Sequence, residues 1–273
     1  MPFLGALAGC SARRSERSVA SHTSEEQRRN APGSAAKNGI VAFSPSLNVE
    51  PAAEPGAEPE YQVIYTDDSL LVLNKPAGLL SVPGRGQDKQ DCLSARVQRH
   101  YPDALIVHRL DMATSGLMLM ARSREVQRGL SQAFAARLVH KRYEAVVQGR
   151  LSMPGQAEGG WGLIELPIAL DWPRRPLRVI DAVLGKPSIT RWRVQNCDVA
   201  ADSTRLQLEP VTGRSHQLRV HLQALGHPIL GDRLYAPEPV QVRAGRLLLH
   251  ACSLRLAHPV TGVALQFESP APF

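Results

Sequence analysis

No apolar run in this chain reaches the roughly 18 to 20 residues that a bilayer crossing requires, which excludes a helical membrane span. Cysteine is scarce. Cys10, Cys92, Cys197 and Cys252 stand far apart with no C-x-x-C pair, which argues against a zinc site or a disulfide framework and fits a reducing, cytoplasmic setting. Acidic residues fall short as well: 25 Asp and Glu face 32 Lys and Arg, for a formal charge of +7. That excess belongs to one part of the chain. Residues 1–58 hold six residues of each sign, so residues 59–273 carry 26 cations against 19 anions. A basic body of this kind suits a polyanionic partner, because neutralised phosphates release their counterions.

Residues 1–58 are also poor in aromatic residues and in sustained periodicity, while Ser, Ala, Arg, Pro and Glu abound. Such a segment cannot offset its own ordering entropy and is expected to be a disordered N-terminal extension. Its Leu7–Cys10 stretch has the look of a lipoprotein cleavage box but lacks a preceding basic region. Arg13, Arg14 and Arg17 among serines have the look of an organelle presequence, which Glu16, Glu25 and Glu26 weaken.

From residue 59 the texture changes to that of one folded domain. Residues 61–65 and 70–74 are β-rich runs joined by Asp67-Asp68-Ser69, the pattern of a hairpin. Asp91 is placed to cap a short helix that Pro102 stops, and residues 117–121 form a short apolar run suited to a buried strand. Ser123 precedes a helix whose apolar residues Val126, Leu130, Phe134 and Leu138 recur every fourth position. Strands are expected at 141–148, 189–195, 205–209, 247–250 and 263–268, and a helix at 215–225 closed by Gly226. Strands outnumber helices and come in neighbouring pairs. The fold class is therefore α+β, with a mixed, mainly antiparallel central sheet flanked by helices.

Two segments concentrate chemistry. Residues 107–116, from Val107 through His108, Arg109, Asp111, Thr114 and Ser115 to Gly116, crowd a cation, a carboxylate and hydroxyls just before an apolar strand. Residues 212–221 include Arg214, Ser215, His216, Gln217, Arg219 and His221, with Ser215 and Arg219 on one helical face. Local composition leaves a plainer account open for both: a turn-capping aspartate beside a solvated arginine, and a solvated basic helix face.

Sequence order narrows the choice. The first segment resembles the H-R-L-D-x-x-T-S-G signature of the RluA family of pseudouridine synthases, and the second resembles that family's G-R-[ST]-H-Q-[IL]-R-V-H segment. Asn74-Lys75-Pro76-Ala77-Gly78 is similar to its N-K-P-x-G element, Lys141-Arg142-Tyr143 to its K-x-Y element, and Leu249-His250-Ala251 with His258-Pro259 to its closing element. Five motifs thus fall in the family's order over residues 60–273. Residues 80–85, 171–176 and 226–232 further resemble the members that modify both 23S ribosomal RNA and tRNA, with Arg174 standing where those have Asn.

The resemblance implies the pseudouridine synthase fold around a catalytic cleft, in one domain over 59–273 without an appended S4-type domain. It implies that Asp111 is the catalytic carboxylate, that Arg219 pairs with it through a forked guanidinium, and that Tyr143 stacks on the target base and removes the C5 proton. Arg109 is the arginine expected to enter the stack left by a flipped-out uridine, with His108 beside it. Lys75, Arg85, Arg174 and Arg214 are the expected phosphate contacts, each equally readable as a solvated cation. No cofactor and no metal are implied, because the isomerisation involves no net redox change. The implied partner is structured RNA, either 23S rRNA or tRNA, with no membrane, no obligate protein partner and a monomeric state. Two other functions are considered: a non-catalytic RNA-binding protein that kept the fold, which would lack one of Asp111, Arg219 and Tyr143, and a metal-dependent hydrolase using His216 and His221. The five-residue spacing of those histidines sets them about 140° apart on a helix, unlike the i, i+4 pair of a zinc-binding helix.

Overall fold

Asp67 closes the first hairpin by accepting the amides of Ser69 (2.7 Å) and Leu70 (2.9 Å) on one carboxylate oxygen. That turn joins β1 (Gln62–Thr66) to β2 (Leu70–Lys75) in antiparallel register. The computed structural model describes residues 61–152 and 160–273, and the expected extension over 1–58 lies outside them. After β2 come α1 (Leu93–Gln98), the two-residue β3 (Leu105–Ile106), β4 (Ser115–Ala121), α2 (Arg124–Ala135) and β5 (His140–Gln148). Next are β6 (Gly162–Glu165), the short pair β7 (Ile168–Leu170) and β8 (Arg178–Ile180), then β9 (Ile189–Asp198) and β10 (Ser203–Pro210). The chain ends through α3 (Gln217–Ala224), α4 (Glu238–Gln241), β11 (Leu249–Ala257) and β12 (Ala264–Glu268).

Ten of these strands form one sheet, ordered β1-β2-β4-β11-β5-β10-β9-β6, with β3 added to β4 and β12 to β11. Its ladders are antiparallel apart from β4 with β11, where Ser115 and Gly116 run parallel to His250 and Ala251. The sheet is therefore mixed and mainly antiparallel, as expected. β2 and β4 read as continuous apolar runs because both of their faces are covered. Leu70, Val72, Leu117 and Leu119 pack with Val126 and Leu130 of α2, while Leu71, Leu73, Met118 and Met120 pack with Leu93 and Val97 of α1. A third cluster joins Ala145, Trp192, Leu206 and Leu208 to Leu218 and Leu222 of α3.

Three local expectations need correction. Asp91 does not cap α1; its carboxylate holds Arg96 by two hydrogen bonds (2.7 and 2.6 Å), and Cys92 occupies the cap position. Ser123 does cap α2, accepting from the Val126 amide (3.2 Å), but the helix stops short of Leu138. Arg137 adopts φ 62°, which turns the chain away and leaves Leu138 65% exposed. Likewise α3 starts two residues later than expected, because His216 takes a left-handed conformation at φ 59° and Ser215 belongs to the preceding turn.

Candidate active site

Asp111 stands on the loop that leads into β4, and side chains hold that loop from the β2 side. Lys75, the last residue of β2, has no exposed surface and donates its ammonium to the carbonyls of Pro76 (2.8 Å), Leu79 (2.7 Å) and Met112 (3.1 Å). The Gly78 amide donates to the same Met112 carbonyl (2.9 Å). Ser81 grips Leu110 at both backbone atoms, donating to its carbonyl (2.7 Å) and accepting from its amide (3.1 Å). The residues on either side of Asp111 are thus pinned before its carboxylate meets anything.

That carboxylate, 27% exposed, meets the N-terminal end of α3: Arg219 Nη1 lies 3.5 Å from Asp111 Oδ2, and His216 Nε2 lies 3.9 Å from Oδ1. Arg219 is only 4% exposed and does not offer its fork to Asp111. Its Nε and Nη2 donate to the two oxygens of Asp232, at 2.8 and 2.6 Å. Asp232, itself fully buried, also accepts the amides of Leu234 (2.9 Å) and Tyr235 (3.2 Å). The expected bidentate Asp111–Arg219 pair is therefore corrected. Asp232 takes the fork and fixes the guanidinium plane, and the remaining nitrogen is aimed at Asp111.

His216 is oriented in turn by Tyr235, whose hydroxyl lies 2.6 Å from Nδ1 and accepts the Arg178 amide at 2.9 Å. Burial lowers the His216 pKa, and the Arg219 and Arg178 charges add to that, against the opposing effect of Asp111; the ring is neutral at pH 7. Gln217 anchors the start of α3 to β9 by donating to the Ile189 carbonyl (2.9 Å) and the Thr190 hydroxyl (3.0 Å).

Tyr143 of β5 faces the same space. Burial, and secondarily the Asp111 charge, hold its phenol well above the usual range, so it is protonated at neutral pH. Around these groups opens a cleft of about 950 Å³. Among the described residues, eight Lys and Arg side chains line it against two carboxylates, Asp111 and Glu209. It is a cationic groove with one carboxylate at its base beside a fixed arginine.

Residues 69–224 match the model of a family described as RNA pseudouridylate synthase. The chain belongs to that family, and it is an isomerase. The synthase is 48% identical over 220 residues to the dual-specificity RNA pseudouridine synthase RluA of Escherichia coli K12, covering 80% of this chain and 97% of that one. To the protein of the same name from Vibrio parahaemolyticus it is 47% identical, over 75% of this chain and 81% of that one. Among solved structures, human RNA pseudouridylate synthase domain containing 1 superposes with a TM-score of 0.65 at 30% identity, covering 81% and 87% of the two chains.

In the synthase, Asp111, Tyr143, Arg219, Arg109 and Arg214 all line the cleft. Arg109 is exposed there, and so is Arg214, which also reaches the Pro187 carbonyl (3.4 Å). The other expected RNA contacts sit differently. Lys75 presents nothing to a phosphate, because its ammonium is buried on three carbonyls; its part is to hold the Asp111 loop. His108 lines the cleft, but its Nε2 accepts the Leu119 amide (2.9 Å) and its ring stacks on Phe134, extending the β4 ladder past β3. Burial lowers its pKa to about 3, so it is neutral and brings no charge to RNA. Arg85 and Arg174 lie outside the cleft lining, and Arg174 is engaged with Asp171 (2.7 Å). His221, weighed as a metal ligand, uses both ring nitrogens internally, on the Thr190 hydroxyl (2.9 Å) and the Leu166 carbonyl (3.0 Å).

Asp232, Tyr235 and His216 escaped assignment. Asp232 and Tyr235 lie 13 and 16 positions beyond Arg219, past a helix end, so no local spacing links them to it. His216 stood inside a dense motif, but it was weighed only as a metal ligand.

Proposed function

We propose that the cleft converts uridine to pseudouridine in structured RNA, with Asp111 as the carboxylate that acts at the glycosidic carbon. The observation that carries this is the geometry at the base of the cleft. Asp111 sits on a loop pinned on both flanks, 3.5 Å from an arginine whose other two donors are already committed to Asp232. Desolvation disfavours a free carboxylate in a site closed by RNA, and a preorganised guanidinium offsets that cost. The reaction breaks N1–C1′, turns the uracil and joins C5 to C1′. A proton leaves C5 and one is gained at N1, so no co-reactant is consumed.

A paired or stacked uracil reaches Asp111 only after flipping out, at a cost of a few kcal/mol. Arg109, exposed in the cleft, is the side chain proposed to fill the vacated stack. Tyr143 is proposed as the wall on which the flipped base lies. Its raised pKa supports stacking over resting as a base, since the phenol would first have to surrender its own proton. The near-half identity to relatives named as dual-specificity supports two kinds of RNA substrate, and the motif resemblance at residues 80–85, 171–176 and 226–232 makes 23S rRNA and tRNA the proposed pair. We place the enzyme in the cytoplasm as a monomer with no obligate protein partner, its catalytic domain spanning residues 59–273. The test is to map pseudouridine in total RNA from cells with and without the gene. Loss of sites in both RNA classes is expected. Loss in one class alone removes the dual assignment, and no loss removes the function.

A further inference from the structure

The loop between β7 and β8 holds an aromatic side chain that the core does not use. Trp172 is 65% exposed, and the guanidinium of Arg175 lies over its ring at 3.7 Å from the centroid. The loop carrying this stack is built rather than slack. Asp171, buried at its base, accepts the backbone amide (3.2 Å) and the Nε (2.7 Å) of Arg174. Its own amide donates to the Leu177 carbonyl (3.1 Å), closing the loop where β8 begins. At that point Arg178 donates its amide to Tyr235 (2.9 Å), the residue that orients His216 beside Asp111. A chain of short contacts therefore joins this loop to the catalytic centre, although Trp172 is not among the residues lining the cleft.

An indole held open to solvent costs apolar burial, and a guanidinium stacked on it stiffens the pair and adds positive charge. That combination is how single-stranded nucleic acids are gripped without base-specific hydrogen bonds: a base lays its π-face on the aromatic ring while the cation faces the phosphates. We infer that Trp172 and Arg175 form a stacking platform for an unpaired base of the substrate RNA, outside the catalytic cleft. The inference rests on the reading of the substrate as structured RNA. Its test reads binding rather than turnover, so the two can fail separately.

The full chain is titrated with a tRNA anticodon stem-loop, and with a set of the same stem-loop carrying one abasic position each. Trp172→Ala should weaken binding about 5- to 150-fold, the range for a lost base–aromatic stack, and Trp172→Phe should retain most of the affinity. One abasic position should weaken wild-type binding by a similar factor and have no further effect on Trp172→Ala, since both changes remove the same contact. RNA should quench tryptophan emission in the wild type and not in Trp172→Phe. Equal affinity of Trp172→Ala and wild type, or losses that simply add at every abasic position, would overturn the platform. So would a change in the self-association of the free protein with RNA affinity intact, which would assign the surface to protein contact. An inactive wild type would remove the assigned reaction, while the platform would still stand or fall on these affinities.

Discussion

At the scale of single residues, the site is an ordered series of fixations. Asp232 fixes Arg219, Arg219 faces Asp111, and Lys75 with Ser81 fixes the backbone around Asp111. Removing one member of a buried ion pair typically costs about 3 to 5 kcal/mol, whereas replacing both with apolar groups is often nearly neutral. Arg219→Leu should therefore lower the melting temperature by about 10 °C, from that cost and the usual 2 to 4 °C per kcal/mol for a body of this size. The double variant Arg219→Leu/Asp232→Asn removes the orphaned charge while leaving an oxygen to accept the Leu234 and Tyr235 amides, so it should recover most of the loss and still form no pseudouridine, because Asp111 has no guanidinium in either. Melting curves and single-turnover rates at saturating RNA check this; a double variant that turns over would show that Arg219 only supports the fold. Lys75 makes a second prediction. Burial lowers its pKa to about 7 in the folded state, while the unfolded chain keeps that proton to about 10.4. The unfolded state binds more protons between those values, so this lysine makes stability rise with pH there, by up to about 1.4 kcal/mol per unit. Relative to Lys75→Met, the wild type should gain stability from pH 7 to 9 in denaturant unfolding; parallel profiles would contradict it.

At the scale of elements, the glycine five positions beyond Asp111 has a structural task. Gly116 adopts φ 110° where β4 meets β11, and a Cβ there would lie 2.4 Å from the Ala251 carbonyl oxygen. Gly116→Ala would force apart the one parallel contact of the large sheet and strain the backbone besides. A loss of about 3 kcal/mol, or failure to fold, is expected in chemical denaturation, and a stable variant would show that the strands can slide. The elements also show what was legible beforehand. β-rich runs and turn chemistry located the first hairpin, an uninterrupted apolar run located β4, and β-rich runs located β5, β9 and β10, because one short-range pattern specifies each. The short strands β6, β7 and β8 carry no such pattern and exist through pairing with distant partners, Gly162 with Trp192 and Ile168 with Ile180. Lys75 was misread for a related reason. A lysine at a strand end is ordinarily solvated, and only the fold wraps three carbonyls around it. Motif order brought Asp111, Tyr143 and Arg219 into view; the Asp232 partner of Arg219 became visible only in three dimensions.

At the scale of the whole molecule, the basic surplus of residues 59–273 is visible in the cleft, where among the described residues eight cations outnumber two carboxylates. A chain beginning at residue 59 should keep its turnover and its melting temperature within about 2 °C, because residues 1–58 add equal numbers of both charges and little apolar surface. Loss of RNA affinity in that truncation would make the extension a binding arm. The central claim is that this basic groove serves one carboxylate, and a change of one atom tests it most directly. Asp111→Asn keeps the shape of the side chain and most phosphate contacts while deleting the chemistry. In single-turnover reactions at saturating stem-loop RNA it should form no detectable pseudouridine while binding that RNA within about tenfold of wild type. Substantial product from the purified Asp111→Asn enzyme would contradict the account.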